Sequence, residues 1–353
     1  MDSPQTDEAH DEPRAAVELS VVIAARNAAA TLGDQLQALD AQRPPFRWEI
    51  IVADNGSTDE TVEIVRAMSR RMPELRLVEA SARPGAAAAR NIGVSAAAGR
   101  FLAFCDADDV VDAGWARAIG SALVRHTFVA GRLEWELLND AVTSASRAHD
   151  AVDHLPSSTQ APQLKRAGAC NMGVHAEVFR RVGGFCEQAP SMEDIDLSWR
   201  IQLSGETVEF VPTATVHYRL RRGLRAITSQ AFGYGKGEHW LQMRYRLVRE
   251  SLDADASSVA TTSVEQRGSL RRVASRMRLT ARQTLRARRR EDVARLCWDV
   301  SFGLGYALGR FPEPAVMSAN PGEALLGHSS SAEVDRDPIG VVAERNAATR
   351  TQK

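Results

Sequence analysis

Hydrophobic positions in the first hundred residues fall into blocks with two different periods. Short apolar runs rich in β-branched residues recur at 19–24, 48–53, 75–79 and 101–105. Each run is continuous rather than alternating, which is typical of parallel strands that are buried on both faces. Stretches with helical spacing separate the runs, and strands separated by helices of about 10–15 residues indicate βαβ units. We therefore predict an α/β fold with an open, mostly parallel sheet.

Local signals set the bounds of three predicted helices between these strands. The first, 31–41, is followed by two prolines that exclude its continuation. The second, 57–71, begins where Ser57 and Glu60 have the spacing of a capping box. The third, 84–99, is rich in alanine and begins with a proline, which suits the first turn of a helix.

Polar residues follow the predicted strands at their carboxyl ends, where open parallel sheets bind ligands. Asp54 follows the second strand, and the segment 81–85 follows the third. The fourth strand continues into Asp106-Ala-Asp-Asp109. In extended backbone Asp106 and Asp108 would point the same way, and two carboxylates can hold a divalent cation beside phosphate oxygens. The motif alone also allows these acids to be no more than a helix cap.

An ordered set of short segments between Leu19 and Arg222 resembles the family 2 glycosyltransferases. Each segment is weak evidence by itself, whereas the set in this order and spacing is specific. The resemblance implies a GT-A fold, in which a Rossmann-like, mostly parallel sheet is flanked by helices, and a nucleotide-diphosphate sugar as donor. The matching segments are 20–24, 52–61, 85–93, 104–109, 171–174, 182–185, 193–200 and 211–217.

The resemblance also implies roles for individual residues. The nucleotide-sugar would be bound by residues from the first, second, third and fourth strand ends: Ala24, Arg26, Asn27, Asp54, Arg83, Gly85, Arg90 and Asp106. Mn²⁺ or Mg²⁺ would be held by Asp106, Asp108 and His217, and Asp194 would be the catalytic base beside Glu193. From the residues alone, each of four of these residues could instead have a structural role. Asp54 could cap a turn, and Arg90 could be an ion-pair partner. Asp194 could be an acid that stabilises a helix start, and His217 could be a structural histidine at a strand end.

Three positions depart from the pattern of that family. The proline common after the first strand is absent from 24–27, and Cys186 stands where the frequent Gly-Phe-Asp-Glu has its aspartate. Met192 precedes Glu193 at a position that is often glycine. None of the three removes a proposed metal ligand or base, so they bear on the sugar and the acceptor rather than on the reaction.

The small net charge conceals two unlike parts of the chain. The 353 residues include 44 basic and 45 acidic side chains, a formal charge of -1. The segment from Arg219 to Arg310 contains 20 basic and 8 acidic residues, so the remainder is acidic. Arginines at helical spacing over 271–290 precede an apolar stretch at 296–308, which suits an anionic membrane surface. A solvated basic face on helices packed against the catalytic domain is the alternative.

We divide the chain into four parts on these grounds. They are a disordered acidic N-terminus (1–17), a GT-A catalytic domain (18–222), a basic helical extension (223–312) and a disordered tail (313–353). Within the extension, the glycine-rich run 233–237 predicts a flexible turn near the active site. No apolar run approaches the ~18 residues that span a bilayer. Scattered cysteines suit a reducing cytoplasm: Cys105, Cys170, Cys186 and Cys297.

The implied activity is inverting, metal-dependent transfer of one sugar to an acceptor hydroxyl, in synthesis of cell-envelope or other glycans or glycolipids. UDP and dTDP donors are favoured because Asp54 suits a pyrimidine imide, with GDP also open, and the acceptor is a saccharide or a lipid-linked molecule. The location is cytoplasmic, at the inner membrane face if the basic segment binds lipid. One alternative is a nucleotidyltransferase of related fold, which would need a glycine-rich loop after the first strand. Another is a nucleic-acid-binding protein; no nucleic acid is expected, since a recognisable motif is lacking.

Overall fold

The computed structural model describes residues 16–145, 154–158, 161–257 and 289–318. The strands are β1 (Leu19–Ala25), β2 (Trp48–Asp54), β3 (Leu75–Glu79), β4 (Phe101–Cys105), β5 (Val110–Val111), β6 (Phe128–Glu134), β7 (Asn171–His175) and β8 (Val208–His217). The helices are α1 (Leu32–Asp40), α2 (Thr61–Ser69), α3 (Ala86–Ser95), α4 (Trp115–Leu123), α5 (Ala141–Ala145), α6 (Ala176–Arg181), α7 (Glu193–Leu203), α8 (Leu224–Arg244), α9 (Arg246–Ser257) and α10 (Arg290–Leu308).

One sheet, with strand order β3-β2-β1-β4-β7-β6-β8-β5, forms the centre of the described structure. The strands β3, β2, β1 and β4 are all parallel, as predicted. The second half is mixed: β7 runs antiparallel to β4 and β6, β8 runs parallel to β6, and β5 runs antiparallel to β8. The predicted α/β class, a mostly parallel sheet flanked by helices, is therefore confirmed.

Both faces of the sheet are covered, which explains the continuous apolar runs. In β1, Val21 and Ile23 belong to one buried cluster, with residues of α1 and α4, and Val22 belongs to the cluster on the opposite face. Gly93 of α3 lies so close to β1 that a Cβ there would be 2.6 Å from Cγ1 of Val22. This tight packing fixes α3, and the polar residues it carries, against the carboxyl end of the sheet.

Two of the predicted helix starts are wrong. Helix α2 begins at Thr61 and not at Ser57, because the Ser57 hydroxyl accepts the N–H of Asn27 (2.9 Å) instead of capping a helix. Helix α3 begins at Ala86 with Gly85 as the preceding residue, so the proline lies outside the first turn. In both places contacts between loops, which local spacing does not encode, decide where the helix begins.

The glycine-rich run 233–237 lies inside α8, so the predicted flexible turn is wrong. A Cβ at Gly235 would collide with the backbone carbonyl of Phe302, and one at Gly305 with that of Phe232. Glycines here allow α8 and α10 to approach backbone to backbone. Among the described residues, no helix combines the length and the hydropathy that crossing a bilayer requires.

The described part of the C-terminal region packs against α7 and the turn before it. Trp240 of α8 and Tyr245, the residue after α8, are buried in one cluster with Trp199 of α7. Beyond α10, the backbone N–H of Met317 donates to the carbonyl of Arg244 (2.8 Å). The arginines predicted to lie at helical spacing over 271–288 fall outside the described residues, as do 1–15 and 319–353 of the two predicted disordered ends.

Candidate active site

The carboxyl ends of β1 and β2 lie side by side, since Ala25 pairs with Asp54 in the parallel ladder. The Asp54 carboxylate is buried and accepts the N–H of Gly56 (3.2 Å) and of Ser57 (3.2 Å). It therefore caps the turn after β2, the structural alternative that the sequence left open. A contact between Asp54 and a nucleotide base stays a prediction.

The loop after β1 is tied to the loop after β2. Asn27 has a left-handed backbone (φ +51°), and its Oδ1 accepts the N–H of Thr58 (2.8 Å). The exposed Arg26 precedes it in the same loop, and Ala24 lies just before that loop, near the end of β1. The structure thus brings Ala24, Arg26, Asn27 and Asp54 to one edge of the sheet, where a nucleotide of such folds would bind.

Asn55 organises the loop that precedes α3, and sequence reasoning missed it. Its buried side-chain amide donates to the carbonyls of Ala80 (2.5 Å) and Arg83 (2.8 Å) and accepts the N–H of Gly85 (2.8 Å). The Arg83 guanidinium forms an ion pair with Glu187 (2.9 Å). A buried asparagine directly after an apolar strand was the available signal, because buried amides need several partners.

Arg90 joins the two halves of the site. Its guanidinium, 7% exposed, donates to Asp106 (2.7 Å) and to Glu193 (2.8 Å). Burial alone would lower the pKa of Arg90, but the charges of Asp106 and Glu193 raise it. Its Nε has no hydrogen-bond partner among the described residues. Arg90 is therefore a fixed cation with one donor to spare, which is an arrangement suited to a phosphate oxygen.

The acidic segment after β4 is a turn, so the extended-backbone argument for Asp106 and Asp108 is wrong. The ligand atoms of Asp106, Asp109 and Cys170 lie within 4.8 Å of one another. Asp108 forms an ion pair with Arg221 (3.3 Å), and burial followed by the charge of Asp106 raises its pKa. The three carboxylates still share one corner of the site, because a turn brings residues three apart together.

His217 ends β8, opposite Val110 of β5. Its Nδ1 lies 2.7 Å from Oε2 of Glu134, and its Nε2 lies 3.6 Å from Oδ1 of Asp112. Both ring nitrogens thus face carboxylates. The contacts that the structure describes for His217 are structural, and ligation of a metal by this residue stays a prediction.

Asp194 and Glu193 form the first turn of α7, as predicted. The residue before them, Met192, has a left-handed backbone (φ +63°), which explains why glycine suits that position. The Asp194 carboxylate accepts the N–H of Ala169 (3.1 Å) and of Ile195 (2.8 Å). Burial, followed by the charge of Glu193, raises the pKa of Asp194 to about 6. A carboxylate of that pKa is a better proton acceptor than an ordinary one near neutral pH.

A buried ionic network anchors α7 and was also missed by sequence reasoning. Asp196, fully buried, accepts from Arg200 of its own helix (2.8 Å) and from Arg244 (2.7 Å) and Tyr245 (2.8 Å) near the end of α8. The charges of Arg200 and Arg244 overcome desolvation and lower the pKa of Asp196. The acid and its arginines were visible in the sequence, but their pairing over 48 residues was not.

The donor set at this corner fits a divalent cation. Carboxylate oxygens are ligands that Mg²⁺ and Mn²⁺ accept, and Oδ2 of Asp109 is buried with no hydrogen-bond partner among the described residues. A buried carboxylate oxygen without a partner is costly, and a bound cation would supply one. The Arg90 donor lies beside the same carboxylates, so an anionic ligand would meet positive charge from the protein as well.

Comparison with known proteins agrees with this geometry. Residues 20–179 match the model of the family described as Glycosyl transferase family 2. The chain is 27% identical over 237 residues to the glycosyltransferase AglE of Haloferax volcanii, covering 65% of this chain and 77% of that protein. It is 28% identical over 248 residues to the pre-mycofactocin glycosyltransferase of Mycobacterium tuberculosis, again 65% of this chain but about half (48%) of that relative.

A solved structure supports the fold independently. The mannosyltransferase PcManGT of Pyrobaculum calidifontis, in complex with GDP-Man and Mn²⁺, superposes with a TM-score of 0.56. The match covers 85% of this chain and 89% of that one at 16% identity. The likeness is one of fold, and it places the described sheet and helices in the predicted GT-A class.

Proposed function

We propose that this chain, whose residues 20–179 match the model of glycosyl transferase family 2, moves one sugar from a nucleotide-diphosphate sugar to an acceptor hydroxyl, with inversion and with the help of a divalent cation. The observation that carries the proposal is the position of Arg90 between Asp106 and Glu193. It joins the acidic turn, where a cation and diphosphate would bind, to the turn that carries Asp194. The buried guanidinium of Arg90 thereby links the residues proposed to bind the donor to the residue proposed to activate the acceptor.

The residues of the site divide the work of such a reaction. Asp194, held by two backbone N–H groups, removes the proton from the acceptor hydroxyl as it attacks the anomeric carbon. Arg90 holds Glu193 and offers its spare Nε to the leaving diphosphate. A cation held by Asp106 and Asp108 would neutralise charge on that leaving group. One base acting in one displacement gives inversion at the anomeric carbon.

The nucleotide would bind along the ends of β1 and β2. Ala24, Arg26, Asn27 and Asp54 lie together there, and Asp54 suits a pyrimidine imide, which favours UDP or dTDP. GDP-sugars should be tested as donors as well, because the structural neighbour PcManGT was solved with GDP-Man. A saccharide or a lipid-linked molecule of envelope synthesis would be the acceptor.

Substitution of the proposed base tests the reaction. We expect Asp194→Asn to lower sugar transfer by about 10²–10⁴-fold, the usual contribution of a general base. The measurement is transfer from a panel of UDP-, dTDP- and GDP-sugars to saccharide and polyprenyl-phosphate acceptors, with and without a chelator. Glu177→Gln, at an exposed acid on α6, is the matched control. Full activity of Asp194→Asn would remove this residue from the mechanism, and undiminished activity in excess chelator would remove the cation.

We also propose that α10 contacts a membrane surface; the alternative is that this helical face is solvated. Exposed apolar side chains along α10 support it, namely Val293, Val300, Leu304 and Leu308, and α10 begins with two exposed arginines. Apolar area beside positive charge favours an anionic bilayer surface. This would place the enzyme at the inner membrane face.

Flotation with vesicles tests the membrane contact. We expect the protein to float with vesicles containing anionic lipid and not with neutral ones, and we expect Leu304→Asp together with Leu308→Asp to abolish flotation. Val124→Asp, at an exposed apolar residue (64%) just after α4, is the matched control. Failure of the unaltered protein to float with anionic vesicles would favour the solvated alternative.

A further inference from the structure

We propose that Trp135 and Tyr218 form a platform on which a sugar ring of the acceptor stacks. The inference rests on the proposed function, because it concerns the acceptor of that reaction, and it commits to a carbohydrate acceptor rather than a bare lipid. Neither residue belongs to the segments on which the family resemblance rests.

The topology of the sheet brings these two residues to the edge that carries the candidate active site. Strand β7 runs antiparallel to both β4 and β6, and β8 runs parallel to β6. The carboxyl ends of β4, β6 and β8 therefore lie at the same edge. Trp135 directly follows β6 and Tyr218 directly follows β8, so both lie at the edge where the acidic turn follows β4.

The two rings form a pair whose backbone is fixed by several hydrogen bonds. Glu134 pairs with His217 in the ladder, and the N–H of Tyr218 donates to the carbonyl of Glu134 (2.8 Å). The side-chain amide of Asn139 donates to the carbonyls of Trp135 (2.9 Å) and Tyr218 (2.7 Å). The ring centroids lie 4.7 Å apart, with 55° between the ring planes. The pair is thus in position before a ligand arrives, which lowers the entropy cost of binding.

Tyr218 is next in sequence to a residue that contacts the acidic turn. The backbone N–H of Arg219 donates to Oδ1 of Asp109 (2.7 Å), and its Nε donates to the carbonyl of Asp108 (2.7 Å). Consecutive Cα atoms are about 3.8 Å apart, so the platform adjoins the turn at which the diphosphate of the proposed donor would bind. A sugar ring on the platform would therefore lie beside the donor, as an acceptor must.

The other five of the six tryptophans are either buried or lie elsewhere. Trp115, Trp199 and Trp240 are at most 2% exposed. Trp48 begins β2, at the opposite edge of the sheet, and Trp298 lies on α10. Trp135, in contrast, is half-buried, as is Tyr218, and a half-buried ring can be rigid and still offer part of its surface to a ligand.

A pair of half-buried aromatic rings suits a carbohydrate. One face of a pyranose ring carries several C–H groups, which are apolar and slightly positive, while the hydroxyl groups point outwards around the ring. The π-face of an aromatic side chain is slightly negative, so it attracts those C–H groups and removes them from water. The same negative face would repel a phosphate group, which favours a sugar over the head group of a bare lipid phosphate.

Binding of simple sugars to the full chain tests the platform without any transfer. The probes are the methyl glycosides of glucose, galactose, mannose and N-acetylglucosamine, and saturation-transfer NMR detects the ring protons that contact the protein. We expect at least one glycoside to bind, and we expect Trp135→Ala to weaken its binding about tenfold, the scale of one aromatic stacking contact. Trp135→Phe should retain binding. Trp48→Ala, at the half-buried tryptophan of the opposite edge, is the matched control and should bind like the unaltered protein.

Transfer kinetics provide a second readout that a purely structural role of Trp135 would not produce. With a saccharide acceptor, Trp135→Ala should raise the KM for the acceptor about tenfold. It should do so without a matching rise in the KM for the donor, because the platform does not contact the nucleotide. A structural defect would instead affect both substrates.

The outcomes separate the platform from the proposed reaction. No binding of any glycoside to the unaltered protein, or an equal affinity in Trp135→Ala, overturns the platform, even if sugar is transferred to a polyprenyl phosphate. Binding that is lost in Trp135→Ala and kept in Trp48→Ala, together with no transfer from any donor, upholds the platform and overturns the proposed function. Thermal unfolding of each variant, followed by circular dichroism, identifies misfolding. If Trp135→Ala is misfolded, Trp135→Leu, which keeps an apolar side chain without a ring face, decides by the same measurements.

Discussion

Single side chains in this site have two tasks each, one in the fold and one in the proposed chemistry. Asp54 caps the turn after β2 at the point where a base would bind. Asp194 accepts two backbone N–H groups, and yet burial and Glu193 keep its pKa at about 6. Such residues were identified from the sequence by their motif, but their partners were not, because partners come from segments far apart in the chain.

The raised pKa of Asp194 predicts how the rate depends on pH. The base must be ionised to act, so kcat should fall about tenfold per pH unit below a pKa near 6 and should be level from about pH 7 upwards. The same shift has the opposite sign for stability: the folded chain holds this proton more tightly than the unfolded one, so the contribution of Asp194 is lost as pH rises through 6.

A rate profile from pH 4.5 to 8 checks this prediction, with Glu177→Gln as the reference. The acidic limb should disappear in Asp194→Asn, whose residual rate does not depend on ionisation at that position. A rate that stays level down to pH 5 would contradict the assignment of Asp194 as the ionising base.

Helices and strands could be predicted where neighbouring residues in the sequence determine them, and not where contacts with distant segments do. The first four strands follow from continuous apolar runs such as 48–53, because burial on both faces requires them. The prediction of a capping box at Ser57 was wrong because the N–H of Asn27, in a neighbouring loop, donates to that hydroxyl. The prediction of a turn at the glycine-rich run was wrong because glycines also allow two helices to approach closely. Here the second helix is α10, some 70 residues away in the chain, so the run alone could not indicate it.

The crossing of α8 and α10 gives a prediction with a matched control in the same helix. Gly235→Ala would place a methyl group against the backbone of Phe302, which cannot move as a side chain can. We expect it to lower the melting temperature and to loosen α10, whereas Gly233→Ala meets nothing within 4 Å and should stabilise the helix by about 0.5–1 kcal/mol. Thermal unfolding of the two variants compares them directly. Equal effects of the two substitutions would contradict the close approach.

At the scale of the whole molecule, the acidic and the basic parts of the sequence are joined by buried ionic contacts in the structure. The acidic N-terminal part contributes Asp196, and the basic C-terminal part contributes Arg244, which also donates to the carbonyl of Ala315 (2.8 Å). The sequence indicated a catalytic part and an appended helical one. It could not indicate that α8 packs against the helix that carries the proposed base, since that depends on pairs distant in sequence.

Removing Arg244 should therefore affect the whole fold. Arg244→Met leaves the buried Asp196 with Arg200 and Tyr245 but without its second cation, and we expect a loss of about 3–5 kcal/mol in the free energy of unfolding. Arg246→Met, at an exposed arginine two residues later, should change it by less than about 0.5 kcal/mol. Denaturant unfolding of both variants measures the difference. Similar midpoints for the two would show that the ionic network contributes little.

The close packing of α8 on the turn before α7 has a consequence for how the enzyme is made. The Ser191 hydroxyl donates to the carbonyl of Gly233 (2.8 Å), and Gly237 leaves no room for a Cβ beside that serine. A ribosome releases the chain from its N-terminus onwards, so the ends of β1 and β2, where we propose that the donor binds, emerge long before α8 does. Those strand ends can fold during synthesis, whereas the turn that carries Asp194 gains its contacts with α8 only once that helix has left the exit tunnel. In each newly made chain the edge formed by β1 and β2 would thus be in place before the turn that carries the proposed base is held.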